Sequence, residues 1–198
     1  MPDHYYTANP TSEHAERQIA ARVFDCDLVF TTDAGVFSHD GLDRGTEILL
    51  NALPALSGRV LDLGCGWGAV GVALGRRQPE LEIVMTDINR RAADLARRNL
   101  AANGVRAEVL EGDGYARVEG MFDAVITNPP IRAGKAAIYG MFAGARERLL
   151  PGGTLYIVIR KQQGAPSALK YLKEIYAEAE VIEREAGYWV IRARTGQE

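Results

Sequence analysis

From residue 59 onward, short apolar runs alternate with segments of helical period, and this alternation limits the possible folds more than any other feature. Residues 59–63, 82–86, 106–110, 122–127 and 154–160 read as strands. Residues 69–77, 89–103, 136–150 and 166–176 read as the helices around them. Strands joined by crossover helices run parallel with right-handed connections. The expected fold class is therefore α/β, a Rossmann-like doubly wound sheet with helices on both faces. Residues 180–185 and 188–194 are joined only by Ala186-Gly187. That link is too short for a crossover, so the mostly parallel sheet should end in an antiparallel C-terminal hairpin strand. Upstream, 22–30 reads as a strand, 31–35 as turn chemistry, Val36-Phe37 as a resumed strand, and 46–56 as a helix; residues 1–20 are polar and expected to pack loosely. The expected organisation is an N-terminal extension with a β-hairpin over 1–44, packed on a main domain over 45–198.

Bulk properties exclude several classes. The net charge of −3 argues against a protein that grips nucleic acid mainly by bulk charge, although a local basic rim remains compatible with it. No apolar run is long enough to span a membrane, and residues 1–13 lack the basic start and apolar stretch of a secretory signal. Cys26 and Cys65 show no paired spacing, and His4, His14 and His39 no ligand spacing. A disulfide framework and a metal site are not expected, and a reducing cytoplasm is the expected compartment.

The turn after the first parallel strand is Asp62-Leu63-Gly64-Cys65-Gly66-Trp67-Gly68. Glycines at a strand-turn-helix junction let the backbone approach a ligand. The spacing departs from the G-x-G-x-x-G of dinucleotide sites. A carboxylate at Asp62 is also unfavourable beside a pyrophosphate, but it suits the cationic amino-acid end of S-adenosylmethionine. Asp87 ends the second strand, ~20 residues past the loop, where an acid can accept both ribose hydroxyls; capping the following helix is the alternative role. Ile88 is then placed to pack on the adenine. Asp113, beside Gly114, is a candidate for the adenine amino group, or else a turn residue.

Asn128-Pro129-Pro130 follows the fourth strand. Each residue before a proline is pushed into an extended conformation, and Pro130 cannot continue the ladder. This rigid corner should hold the Asn128 side-chain oxygen and the Pro129 carbonyl as two fixed acceptors for an –NH2 group. Bonding both N–H groups orients the nitrogen and favours its pyramidal, more nucleophilic geometry, so positioning can suffice without a strong base.

With these residues in place, the chain resembles the class I S-adenosylmethionine-dependent methyltransferases that modify amino nitrogens. Phe37-Ser38, Leu42-Asp43-Arg44-Gly45-Thr46 and Asn128-Pro129-Pro130-Ile131-Arg132-Ala133-Gly134-Lys135 narrow the resemblance to the small methyltransferase domain of ribosomal RNA guanine-N2 methyltransferases, over about residues 30 to 195. The resemblance implies donor binding by Gly64, Gly66 and Asp87, amine holding by Asn128 and Pro129, and positions near the site for Phe37 and Thr46. Many relatives carry an aromatic residue at the position of Ile131, which here offers only apolar contact. Arg132 and Lys135, with Arg160 and Lys161, are expected along the carboxyl edge of the sheet, suited to a phosphate-bearing RNA. Arg90, Arg91, Arg97 and Arg98 share a helix face that reads as solvated, and Trp67 and Trp189 read as packing residues. Other readings stay open at this level: a protein glutamine or small-molecule N-methyltransferase, a non-catalytic donor-binding scaffold subunit, and an NAD-dependent oxidoreductase.

Overall fold

The computed structural model describes residues 12–197. His4 and the start of the expected loose extension lie outside the described residues. The fourteen main elements are β1 (Arg17–Val23), β2 (Cys26–Thr32), α1 (Arg44–Ala52), β3 (Arg59–Leu63), α2 (Ala69–Arg77), β4 (Glu82–Asp87), α3 (Arg90–Ala102), β5 (Glu108–Glu111), β6 (Phe122–Thr127), α4 (Lys135–Arg148), β7 (Leu149–Arg160), α5 (Ala165–Ile175), β8 (Glu178–Glu185) and β9 (Tyr188–Arg194).

Strands β3 to β9 form one sheet in the order β5-β4-β3-β6-β7-β9-β8. Pairings from β5 across to β7 are parallel, and β9 runs antiparallel to both β7 and β8. The expected doubly wound sheet with an antiparallel C-terminal strand is what forms. Alternate residues of a strand face opposite sides. Val60 therefore enters a core shared with α1, α2, α3 and the β1–β2 hairpin, whereas Leu61 enters a second core shared with α4 and α5. The chain runs outward from β3 through β5, then returns to β6 on the other side of β3. That reversal opens a crevice at the carboxyl ends of β3 and β6, the usual ligand site of open α/β sheets.

Several boundaries differ from the sequence reading. The N-terminal hairpin exists, but its turn is Phe24-Asp25, both with positive φ, so residues 22–30 are not one strand. Arg17 to Ala20, expected to be loose, already belong to β1. Val36 and Phe37 lie in turns rather than a strand. Helix α1 starts two residues early, on the Asp43 cap, and ends at Ala52, because Pro54 forces Leu53 into an extended conformation. Strand β7 begins at Leu149 and carries Pro151-Gly152-Gly153 within it, shortening α4.

The arginine face of α3 is not simply solvated. Arg91 bonds the Ala34 carbonyl and Ser12, Arg98 takes both carboxylate oxygens of Glu16 at 2.6 and 2.9 Å, and Arg97 bonds Asp94 and the Val109 carbonyl. Asn99 completes the clamp. Its amide exchanges two bonds with the Thr31 backbone (2.7 and 2.9 Å) and donates a third to the Trp67 carbonyl (2.7 Å). The N-terminal segment is thereby fixed to the helix beside the crevice.

Candidate active site

A cavity of about 540 Å³ occupies the crevice. Its floor is the turn between β3 and α2. Gly64 and Cys65 both donate to the Thr86 carbonyl, at 2.8 and 3.0 Å, which ties the turn to the end of β4. Gly64 and Gly66 have φ of +73° and +55°, and a Cβ on either would meet nothing within 4 Å. Bare backbone therefore faces the cavity where a ligand needs close approach. Gly114, also in the wall, is equally open. Gly68 differs: it is absent from the wall, and a Cβ there would lie 3.2 Å from Ala96 and Met85. Lack of a side chain there lets the start of α2 pack closely on α3 and β4.

Two acids line the floor. Asp87 accepts Gly66 N–H through Oδ2 and Asn89 N–H through Oδ1, each at 2.8 Å. Each carboxylate oxygen has a further lone pair for a hydroxyl donor. Burial raises the Asp87 pKa, against the two N–H bonds that lower it. The helix cap belongs to Asn89 itself, which accepts Ala92 N–H at 3.3 Å. Asp62 is 2% exposed and accepts Gly71 N–H at 3.1 Å. Burial pushes its pKa up to about 7, opposed by that N–H and reinforced by the charge of Asp87. Such a carboxylate gains strongly from a cation placed beside it. Ile88 and Asp113 complete this end of the wall.

Asn128 stands at the other end, where β6 leaves the sheet. Its Nδ2 donates to Asp43 Oδ2 and to Thr46 Oγ1, both at 3.0 Å. A carboxylate only accepts, so the nitrogen must face Asp43 and Oδ1 becomes the amide's outward edge. Asp43 is fixed in turn as the cap of α1, accepting Thr46 N–H at 3.0 Å. Pro129 is buried, and Pro130 starts a short 3-10 turn over Ile131–Ala133. Sequence reasoning assigned no role to Asp43, although Asp43-x-x-Thr46 has the form of a helix cap.

Phe37, Thr46, Pro129, Pro130, Ile131 and Arg132 all line the same cavity. Lys135 does not. It opens α4, and its ammonium lies 5.1 Å from the centre of the Tyr139 ring. Of the four expected basic residues only Arg132 and Arg160 reach the wall. Tyr188 lines it as well, unforeseen from the sequence. Trp67 packs at 4.8 Å on Phe30 and donates to the Phe37 carbonyl at 3.0 Å, holding the loop of Phe37 over the site. Among the described residues, no group of three or more His, Cys, Asp or Glu is placed to hold a metal, and no helix is long and apolar enough to cross a membrane.

A model of the methyltransferase small domain matches residues 27–192. The chain is 36% identical to the uncharacterized protein YbxB of Bacillus subtilis, over 98% of its own length and 99% of that protein's. It is 38% identical to the Ribosomal RNA small subunit methyltransferase C of Aeromonas hydrophila, over 84% of this chain and 49% of that one. It thus spans about half the length of these larger relatives. The Thermus thermophilus 16S rRNA N2 G1207 methyltransferase, solved with AdoMet and guanosine, superposes with a TM-score of 0.81 at 27% identity, over 94% of this chain and 52% of that one. A ribosomal protein L11 methylase from Lactobacillus delbrueckii shares the fold, with a TM-score of 0.66 at 19% identity. Fold, cavity and sequence agree: the chain belongs to the methyltransferase small domain family of class I methyltransferases.

Proposed function

We propose that this chain transfers a methyl group from S-adenosylmethionine to the exocyclic N2 amine of a guanine in ribosomal RNA. The observation that carries the reading is the locked amide of Asn128, whose nitrogen is held by Asp43 and Thr46. Its oxygen is then preset to accept from an amine. The cavity fits the donor: bare backbone at Gly64 and Gly66, a paired acceptor at Asp87 for the ribose hydroxyls, and Asp62 for the ammonium. On this reading Ile88, Asp113 and Gly114, which line the cavity, take the adenine, and Phe37 and Thr46 line the same cavity. The donor supplies an electrophilic methyl on a sulfonium. The chain's part is to position and polarise. Asn128 Oδ1 and the Pro129 carbonyl would each take one N–H and turn the nitrogen lone pair toward the donor. As the N–C bond forms the S–C bond breaks to leave a neutral thioether, the positive charge passes to the nitrogen beside the two acceptors, and the surplus proton leaves to solvent. The target base must be unpaired or flipped to reach this corner. Ile131 and Arg132 line its approach.

Purified protein with labelled donor, offered ribosomal RNA, ribosomal subunits, transfer RNA and bulk cell protein in parallel, tests the acceptor class. Label in ribosomal RNA or subunits is expected; label confined to protein would move the assignment to a protein N-methyltransferase.

Two further outcomes follow from the floor of the cavity. Gly66→Ala forces a left-handed residue costing about 1–2 kcal/mol of stability and puts a methyl group where the donor approaches. Donor affinity by calorimetry should fall at least about tenfold, a loss of about 1.4 kcal/mol. Gly104→Ala, with φ of +65° and open space but outside the cavity wall, should lose similar stability and keep donor affinity.

Asp62 makes the apo protein pH-sensitive. Its folded pKa of about 7 lies above the ordinary carboxylate value, so the native state holds more protons than the unfolded state between about pH 4 and 7. That contribution to stability is full below the unfolded pKa and is lost as pH rises through the folded one. Asp62→Asn should therefore gain in Tm relative to wild type as pH rises from 4 to about 7. A Tm difference independent of pH across that window would show that Asp62 does not titrate there.

A further inference from the structure

Arg160 ends β7 at the rim of the cavity, and its guanidinium carbon lies 4.7 Å from the centre of the Tyr188 ring. The two residues are direct partners across the β7–β9 ladder. Some arginines are matched with acids, Arg59 with Glu82, Arg97 with Asp94 and Arg98 with Glu16, and others lie on rings, Arg77 on Phe24 and Arg184 on Trp189, but of those on rings without an acid only Arg160 lines the cavity. Among the described residues, no carboxylate pairs with Arg160; it rests on the ring and is itself exposed.

Tyr188 is anchored to the amine site. A Cβ on Gly45 would lie 2.9 Å from Tyr188 Cε1 and 2.9 Å from Asp43 Oδ2, so only glycine lets the ring close on the first turn of α1. That turn carries Asp43 and Thr46, which hold the Asn128 amide. The guanidinium, the ring and the amide thus form one connected support.

An amine held at Asn128 belongs to a flat base, whose face needs a flat surface. Next to the corner, Ile131 presents only an aliphatic one. A guanidinium is planar and weakly hydrated, and it stacks on π-faces. Bases stack on arginine planes as they do on aromatic rings. We infer that Arg160, backed by Tyr188, is the stacking platform for the purine whose amine Asn128 holds. This inference rests on the RNA reading above.

Lysine keeps the charge and loses the plane, so Arg160→Lys separates stacking from phosphate attraction. Steady-state methylation of small-subunit ribosomal RNA should show KM for RNA raised about tenfold by both Arg160→Lys and Arg160→Ala, with kcat reduced less than about threefold. Donor affinity by calorimetry should stay within about twofold of wild type. Arg160 is exposed, so both variants should fold. Wild-type KM in Arg160→Lys, with a raised KM in Arg160→Ala alone, would make Arg160 a phosphate contact and overturn the platform. No transfer to any RNA by the wild type would overturn the RNA reading and the platform together, and it would be seen before any variant is made.

Discussion

Asn128→Ala should lower kcat for methyl transfer by at least about 10²- to 10³-fold, the loss found when one fixed polar group at a developing charge is removed. Donor affinity should hardly move, because the Asn128 side chain bonds Asp43 and Thr46 and makes no hydrogen bond to the glycine turn or to Asp87. The direction of the Asn128 amide is fixed. With Nδ2 bonded at 3.0 Å to both Asp43 and Thr46, Oδ1 needs no reorganisation when the amine arrives. Asp43→Asn is the companion test. An asparagine there can donate as well as accept, so the Asn128 amide can flip and present its nitrogen to the substrate. Its kcat should fall too, by about tenfold if the flipped form takes most of the population. Calorimetry with the donor and single-turnover transfer would separate the two effects. Full turnover in Asn128→Ala would remove the amine site from this corner.

Asp87→Ala should do the opposite, weakening donor binding by about 100-fold or more, since two bonds to a charged acceptor at roughly 1.5–3 kcal/mol each are lost. Part of the effect comes through the turn itself. Asp87 also takes the N–H groups of Gly66 and Asn89, so its removal unties the loop from the start of α3. Asp87→Asn keeps one acceptor oxygen and should be intermediate in donor affinity. At saturating donor, transfer by Asp87→Asn should recover most of its kcat, whereas Asn128→Ala should not recover. A donor Kd in Asp87→Ala within about twofold of wild type would show that this acid does not hold the ribose.

Strands buried on both faces were the most legible elements. Residues 122–127 and 188–194 coincide with β6 and β9 to the residue, because mostly apolar runs bounded by turns fix the ends of a strand. The cavity wall was legible for a related reason. Positive-φ glycines, prolines after a strand and acids at strand ends mark the carboxyl edge of such a sheet, and Gly64, Gly66, Asp87 and Asn128 all stand on one cavity.

What stayed hidden depends on tertiary contacts. Phe24 and Asp25 adopt left-handed conformations without glycine, so no turn signal marked the hairpin. Gly68 looks in sequence like its two neighbours in the loop, yet it faces α3 rather than the cavity. Lys135 stands within the motif that continues from Asn128, but Gly134 at φ +92° reverses the chain before α4 begins. The arginines of α3 read as solvated because their partners, Ser12, Glu16 and Ala34, lie at least 57 positions away in sequence. Asp43 received no role from the sequence because its hold on Asn128 spans 85 positions.

The measurement that bears most directly on the chemistry is the identity of the methylated nucleoside. Small-subunit ribosomal RNA labelled by the purified protein would be digested to nucleosides and the products separated. Transfer to the guanine amine held by Asn128 and Pro129, as proposed, predicts N2-methylguanosine as the labelled product, reduced at least about 10²-fold with Asn128→Ala. Label on adenine N6 or cytosine N4 would keep the amine site and overturn the guanine assignment. Label on a ring nitrogen, a carbon or a ribose hydroxyl would contradict the amine site itself, because none of these presents two N–H groups to the two acceptors.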